Sequence, residues 1–178
     1  MSITSCAITG YRPTRFKFKY QEDYSLCKKI KRSLAEQLKR AYQDGARTFF
    51  VGGALGVDMW AGELLAEMKD KPEYADIRLI CAIPFPGHDR LWDDKSKKRL
   101  EHIISACDGA VKVGEAESPD AYKTRNYYMV DHADRLIAVF DQEKNPRSGT
   151  SQTVNYAKKR GLEIVYIHPD TAKVTEEV

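Results

Sequence analysis

Phe49-Phe50-Val51-Gly52-Gly53-Ala54-Leu55-Gly56-Val57-Asp58 runs directly into Met59-Trp60-Ala61-Gly62-Glu63. An apolar run stops at paired glycines, a third glycine follows at position 56, and a helical pattern begins. A buried strand that turns sharply into a helix is written this way. Glycine at such a bend accepts positive φ and removes the Cβ that would hold a neighbour off the backbone. A helix N-terminus facing the bend presents amide N–H groups and partial positive charge, so the expected occupant is an anion, and phosphate is the common biological one.

The same alternation extends both ways along the chain. Strands are predicted at Ser5–Thr9, Thr48–Val51, Ile77–Ile83, Gly109–Val113, Arg135–Phe140 and Leu162–Ile167. Helices are predicted at Tyr24–Tyr42, Val57–Lys69, Asp93–Cys107, Pro119–Ala133 and Gly149–Lys159. In the first helix Leu26, Cys27, Ile30, Leu34, Leu38 and Ala41 recur at helical spacing, and Gly45 ends it. The strands are continuous apolar runs, the mark of a parallel sheet covered on both faces. The expected fold is α/β: a Rossmann-like, doubly wound, mostly parallel sheet of about six strands with helices on both faces. A single domain over residues 1–178 is expected, with a polar, loosely held tail from about residue 169.

Composition narrows the class. The chain has 178 residues, 42% hydrophobic and 31% charged, with 29 Lys+Arg against 26 Asp+Glu. A net charge of +3 does not announce a nucleic-acid binder. The basic runs Lys28–Arg32 and Lys95–Arg99 fall on predicted helices and read as solvated faces. The four cysteines, at positions 6, 27, 81 and 107, show no CxxC or Cys/His zinc spacing, and Cys6 and Cys81 sit inside strands as small hydrophobes. These features, with Met1–Thr4 leading straight into a strand and no apolar run near ~18 residues, give the expectation of a reduced, cytoplasmic chain with no membrane partner.

In a doubly wound sheet the ligand sits at the carboxyl ends of the strands, near the point where strand order reverses. The loops converging there are Thr9-Gly10-Tyr11-Arg12, Gly52 to Asp58, Pro84 to Arg90, and Asp141 to Asn145 continuing into Arg147-Ser148-Gly149-Thr150-Ser151-Gln152-Thr153. Glycines, hydroxyls and arginines together suit a phosphorylated ligand that carries a ribose or base. Asp58 reads equally as a carboxylate satisfying helix-start amides and as a ribose partner. Ser148-Gly149-Thr150 reads both as an ordinary helix cap and as a second phosphate cradle. His88 has no Cys or His partner at metal-ligand spacing, so no metal is expected. Neither GxxxxGK[ST], G-x-G-x-x-G, GxSxG nor HExxH occurs. No residue is assigned a catalytic role and no resident cofactor is expected.

Taken together, Ile8-Thr9-Gly10-Tyr11-Arg12-Pro13, Gly53-Ala54-Leu55-Gly56-Val57-Asp58-Met59-Trp60-Ala61, Arg125-Asn126, Ala133 to Phe140 and Ser148-Gly149-Thr150 resemble the SLOG superfamily. That group joins the Smf/DprA DNA-processing proteins to the LOG phosphoribohydrolases, and the chain is most similar to its small bacterial YpsA-like branch. The resemblance implies that Gly10, Tyr11, Arg12, Gly52, Gly53, Ala54, Gly56, Asp58, Arg125, Asn126, Asp141, Ser148, Gly149, Thr150 and Thr153 surround the ligand groove. Arg125 would meet a phosphate or acidic edge, and Asn126 would bond ligand or loop backbone. LOG enzymes carry PGGxGTxxE, whose glutamate serves N-glycosidic cleavage. Aligned on Gly149-Thr150, that position is Thr153 here, which leaves Asp58, Asp141 and Glu143 as the nearby carboxylates.

Three functions therefore stand. The first is binding or sensing of a nucleotide sugar, NAD-like or ADP-ribose-like molecule, with Tyr11 or Phe85 covering a base. The second is N-glycosidic cleavage or transfer on nucleotides. The third is single-stranded DNA binding, in which Arg12, Arg15, Phe16, Lys17, Phe18, Lys19 and Tyr20 interleave cations with rings, set against a packed loop whose lysines stay wet. Trp92, Tyr127 and Tyr128 are expected as exposed aromatics on a self-association surface, a homodimer being the commonest oligomer.

Overall fold

The computed structural model describes residues 2–142 and 148–177. Apolar runs became strands and amphipathic runs became helices, in the order β1 (Ser5–Gly10), α1 (Ser25–Gln43), β2 (Thr48–Val51), α2 (Val57–Lys69), β3 (Arg78–Ile83), α3 (Asp94–Ala106), β4 (Gly109–Lys112), α4 (Ala121–Asp131), β5 (Arg135–Val139), α5 (Gly149–Lys159), β6 (Glu163–Ile167) and β7 (Val174–Glu177). In α1 the inward stripe is Cys27, Ile30, Leu34, Leu38 and Ala41, all fully buried. Helix α2 is buried on most sides, because α1 and α3 flank it while it lies on β1, β2 and β3.

The sheet runs β4-β3-β2-β1-β5-β6-β7. Every pairing is parallel except β6 with β7. The chain builds outward from β1 to β4, then crosses back to β5 on the other side of β1. Right-handed crossovers therefore put α1, α2 and α3 on one face and α4 and α5 on the other, in agreement with the packing of α4 on α5 and of α5 on β5 and β6. The reversal point lies between β1 and β5, where Gly10 pairs with Val139 at the carboxyl ends. No helix of the described residues is long and apolar enough to cross a membrane.

The tail departs from expectation. Val174–Glu177 is not loose but forms β7, antiparallel to β6. Its side chains are half-buried or exposed, so no apolar run marks it. Distant partners hold it instead: Glu177 accepts from Tyr166 Oη at 2.5 Å, and Glu176 pairs with Arg40.

Candidate functional site

A groove of about 270 Å³ opens at the carboxyl end of β1, between the bend before α2, helix α4 and the start of α5. Gly10, Tyr11, Arg12, Ala54, Asp58, Arg125, Asn126, Ser148, Gly149 and Thr150 line it. Two bends from distant parts of the chain thus meet at one edge, as the sequence reading requires. Thr9, Thr14, Arg15 and Tyr122 line it too. Tyr122 was legible in principle: it stands three and four residues before Arg125 and Asn126, and that spacing puts all three on one face of α4.

The first bend is built differently from the expected cradle. Gly52, Gly53 and Gly56 do not line the groove. They make room for the protein's own atoms. A Cβ on Gly52 would lie 2.5 Å from Asp58 Oδ2 and 2.8 Å from the Arg125 guanidinium. Gly56 has φ +88°, and its Cβ would lie 2.6 Å from the Tyr11 carbonyl oxygen. That carbonyl accepts from Val57 N at 3.3 Å, so the first amide of α2 is satisfied within the chain rather than by a ligand. Gly10 is likewise a packing glycine, its missing Cβ replaced by the Val57 side chain at 2.6 Å.

Arg125 and Asp58 hold this bend together. Arg125 is 3% exposed; its Nη1 donates to the carbonyls of Gly52 and, at 3.2 Å, Ala82, while its Nε donates to Asn126 Oδ1 at 2.8 Å. Its Nη2 stands 3.9 Å from Asp58 Oδ2, which also accepts from Ala54 N at 3.3 Å. Burial pushes the Asp58 carboxyl above the usual range, with Arg125 and the Ala54 amide pulling it back. Burial likewise lowers Arg125, with Asp58 opposing. Desolvation thus outweighs mutual attraction for both partners, as expected for a buried pair at this separation. Arg125 contributes a cationic wall, but most of its donors are already engaged.

Among the described residues, the second bend is open beside Gly149. Ser148 caps α5, its Oγ accepting from Ser151 N at 3.3 Å. Gly149 is exposed, and a Cβ there would meet no described atom within 4 Å. The amides of Gly149 and Thr150 have no partner among the described residues and begin a helix of 11 residues. Thr153 does not reach the groove; it is 1% exposed and its hydroxyl donates to Gly149 O at 2.8 Å within α5. Glu143, Asn145 and Arg147 lie outside the described residues.

Two arginine–tyrosine pairs frame the mouth. The Arg12 guanidinium lies 4.6 Å over the Tyr122 ring and that of Arg15 lies 4.4 Å over Tyr11. Both arginines are exposed at the rim. Tyr11 is 4% exposed and donates its hydroxyl to Asp141 at 2.7 Å, tying β1 to β5. Burial, and then that bond, raise its hydroxyl pKa. Asp141 stands outside the groove. Tyr11 and Phe85 are therefore both core side chains rather than open covers for a base, whereas the half-buried Tyr122 lines the groove. His88 is likewise part of the scaffold, with Nε2 2.8 Å from Gly53 O and its pKa lowered by burial.

The basic–aromatic loop also resolves. Phe16 and Phe18 are 2% and 3% exposed, stack at 5.0 Å and pack on Trp60, so they do not stand out as base platforms. Trp92, Tyr127 and Tyr128 are half-buried rather than exposed. Tyr127 stacks on Tyr156 at 3.8 Å.

A family model described as the YspA SLOG family matches residues 6–172. UPF0398 proteins of Bacillus cereus (strain B4264) and Bacillus thuringiensis (strain Al Hakam) are each 32% identical over 157 residues, covering 87% of this chain and 83% of theirs. Among solved structures, DNA processing protein A (DprA) of Streptococcus pneumoniae superposes with a TM-score of 0.59 at 17% identity, covering 92% of this chain and 50% of that one. DprA of Helicobacter pylori, described for its single-stranded DNA binding mode, gives 0.56 at 23% identity, covering 92% of this chain and 64% of that one. At those identities the likeness is one of fold, and this chain spans between half and two thirds of each neighbour.

Proposed function

This chain belongs to the YspA SLOG family, and from that membership we propose that it binds a phosphate-bearing nucleotide derivative in the rim groove, as a sensor or carrier rather than through a LOG-type reaction. One observation carries the reading. The open start of α5, with Ser148 and Thr150, faces a groove walled by Arg12, Arg15 and Arg125 at the strand-order reversal. Free amides at a helix start, hydroxyls and guanidinium groups are the donors a phosphate takes. Asn126 and Tyr122 are suited to the attached ribose or base. The LOG glutamate position supports no acid–base role here, because Thr153 is turned into its own helix.

A thermal-shift screen of nucleotides, nucleotide sugars and dinucleotides tests this. A binder at 100 times its Kd adds about 2.7 kcal/mol of stability, which for a chain of this size is roughly 5–10 °C in Tm. A screen with no responder overturns the reading.

Single-stranded DNA is the second reading. It is favoured by the DprA neighbour described for that binding mode and by the two arginine–tyrosine pairs at the groove mouth. It predicts oligonucleotide retention that weakens steeply with salt. Retention without salt dependence, or none, removes it.

A further inference from the structure

Building on the phosphate-groove reading, we infer that a second cavity beside the groove receives a sugar carried on the terminal phosphate of the same ligand, which makes the ligand a nucleoside diphosphate sugar. This cavity measures about 250 Å³ and lies over the ends of β5 and β6, closed by the segment that leads into β7. Phe140 and Tyr166 contribute rings to its wall, while His168, Thr171, Lys173 and Thr175 contribute polar groups. The rings are 6% and 3% exposed and tilted 37° to each other, so they offer edges and C–H contacts rather than a flat slot for a base. Hydroxyl, imidazole and ammonium groups around such a wall match the many hydroxyls of a saccharide.

Position links the two spaces. The groove is lined from the end of β1 and the start of α5, and the cavity from just beyond the ends of β5 and β6, which follow β1 in the sheet order. The boundary between them is the hydrogen bond from Tyr11, which lines the groove, to Asp141, which lines the cavity. Tyr11 also meets Phe140 edge to face at 5.9 Å. The two spaces therefore share this pair as a common wall, so a sugar carried beyond a phosphate at the start of α5 meets the side lined by Thr171, Lys173 and Thr175. Residues 171, 173 and 175 come from the segment that reads as a loose tail, so β7 supplies a wall as well as an edge.

Titration calorimetry of the full chain with matched probes tests the inference: ADP-ribose against ADP, and UDP-glucose against UDP. Lys173→Glu and Thr175→Tyr alter exposed positions, which leaves the core intact. Each is expected to weaken the sugar-bearing probe about tenfold or more while changing its sugarless partner by less than about twofold. Equal losses for both probes, or no loss for either, overturn the inference. So does a native protein that binds ADP or UDP without gaining affinity from the sugar, an outcome that leaves the groove reading standing. If native protein binds none of the four, the groove reading falls and takes the inference with it.

Discussion

Two strand-to-helix bends reach the same rim, one between β2 and α2 and one before α5, and each brings glycine to a helix start. In the first, the space beside the glycines is filled by the chain itself: Asp58 and Arg125 beside Gly52, and the Tyr11 carbonyl beside Gly56. In the second, the space beside Gly149 faces no described atom within 4 Å. A glycine at a strand–helix junction signals that something approaches the backbone. It does not say whether that is a ligand or the rest of the fold. The closed bend is scaffold and the open one is the cradle we propose, and substitutions should separate them by which property fails.

The largest effect is expected at the pin of the closed bend. Arg125→Ala leaves Asp58 buried without its cation and strips the Gly52 and Ala82 carbonyls of their donor. Removing one partner of a buried pair costs about 3–5 kcal/mol. Urea unfolding should show that loss directly, and the double variant Asp58→Asn/Arg125→Met should recover part of it, since no buried charge is then left unpaired. A loss below about 1 kcal/mol, the level of a surface pair, would mean that the pair does not hold the bend.

Gly56→Ala comes next. Its φ of +88° is a conformation that L side chains rarely adopt, and the new methyl would meet backbone 2.6 Å away at Tyr11 O and 3.0 Å away at Arg12 Cα. Backbone strain of about 1–3 kcal/mol plus overpacking of about 1–3 kcal/mol puts the expected cost at about 2–6 kcal/mol in the same unfolding measurement. A near-neutral result would reassign this bend from scaffold to a pliable loop.

The same contrast explains what was legible in the chain. Parallel strands buried on both faces leave continuous apolar runs, so β1, β2, β3, β5 and β6 could be read from Ala-Ile, Phe-Phe-Val, Leu-Ile, Leu-Ile-Ala-Val and Ile-Val-Tyr-Ile segments. β7 could not, because Val-Thr-Glu-Glu lies at an edge with its side chains half-buried or exposed, and its hold comes from Arg40 and Tyr166, more than 130 and about ten residues away in sequence. The convergence of the rim loops followed from topology alone. Which member of each loop faces outward did not, since that depends on packing partners that sequence separation conceals. Tyr11, an aromatic beside a glycine, looked like a base cover, yet Phe16, Phe140 and Asp141 draw it inward. Gly52 looked like a phosphate contact, yet Arg125, 73 residues later, occupies its neighbourhood.

The smallest effect on the fold, and the sharpest on the ligand, is expected at Gly149→Ala. The position begins α5, its φ is not positive, and the added methyl meets no described neighbour. Exchanging glycine for alanine at a compatible site stabilises by about 0.4–1 kcal/mol, chiefly by restricting the unfolded chain. The methyl nevertheless projects where a phosphate would approach the Gly149 and Thr150 amides. Unfolding should therefore show an unchanged or slightly higher midpoint, while affinity for a responding nucleotide should fall by about an order of magnitude, equivalent to roughly 1.4 kcal/mol. Stability and affinity would then move in opposite directions at Gly149, whereas at Gly56 the fold itself gives way. If Gly149→Ala binds as tightly as the native chain, the open bend is no cradle, and the anion must be sought among the arginines of the groove mouth instead.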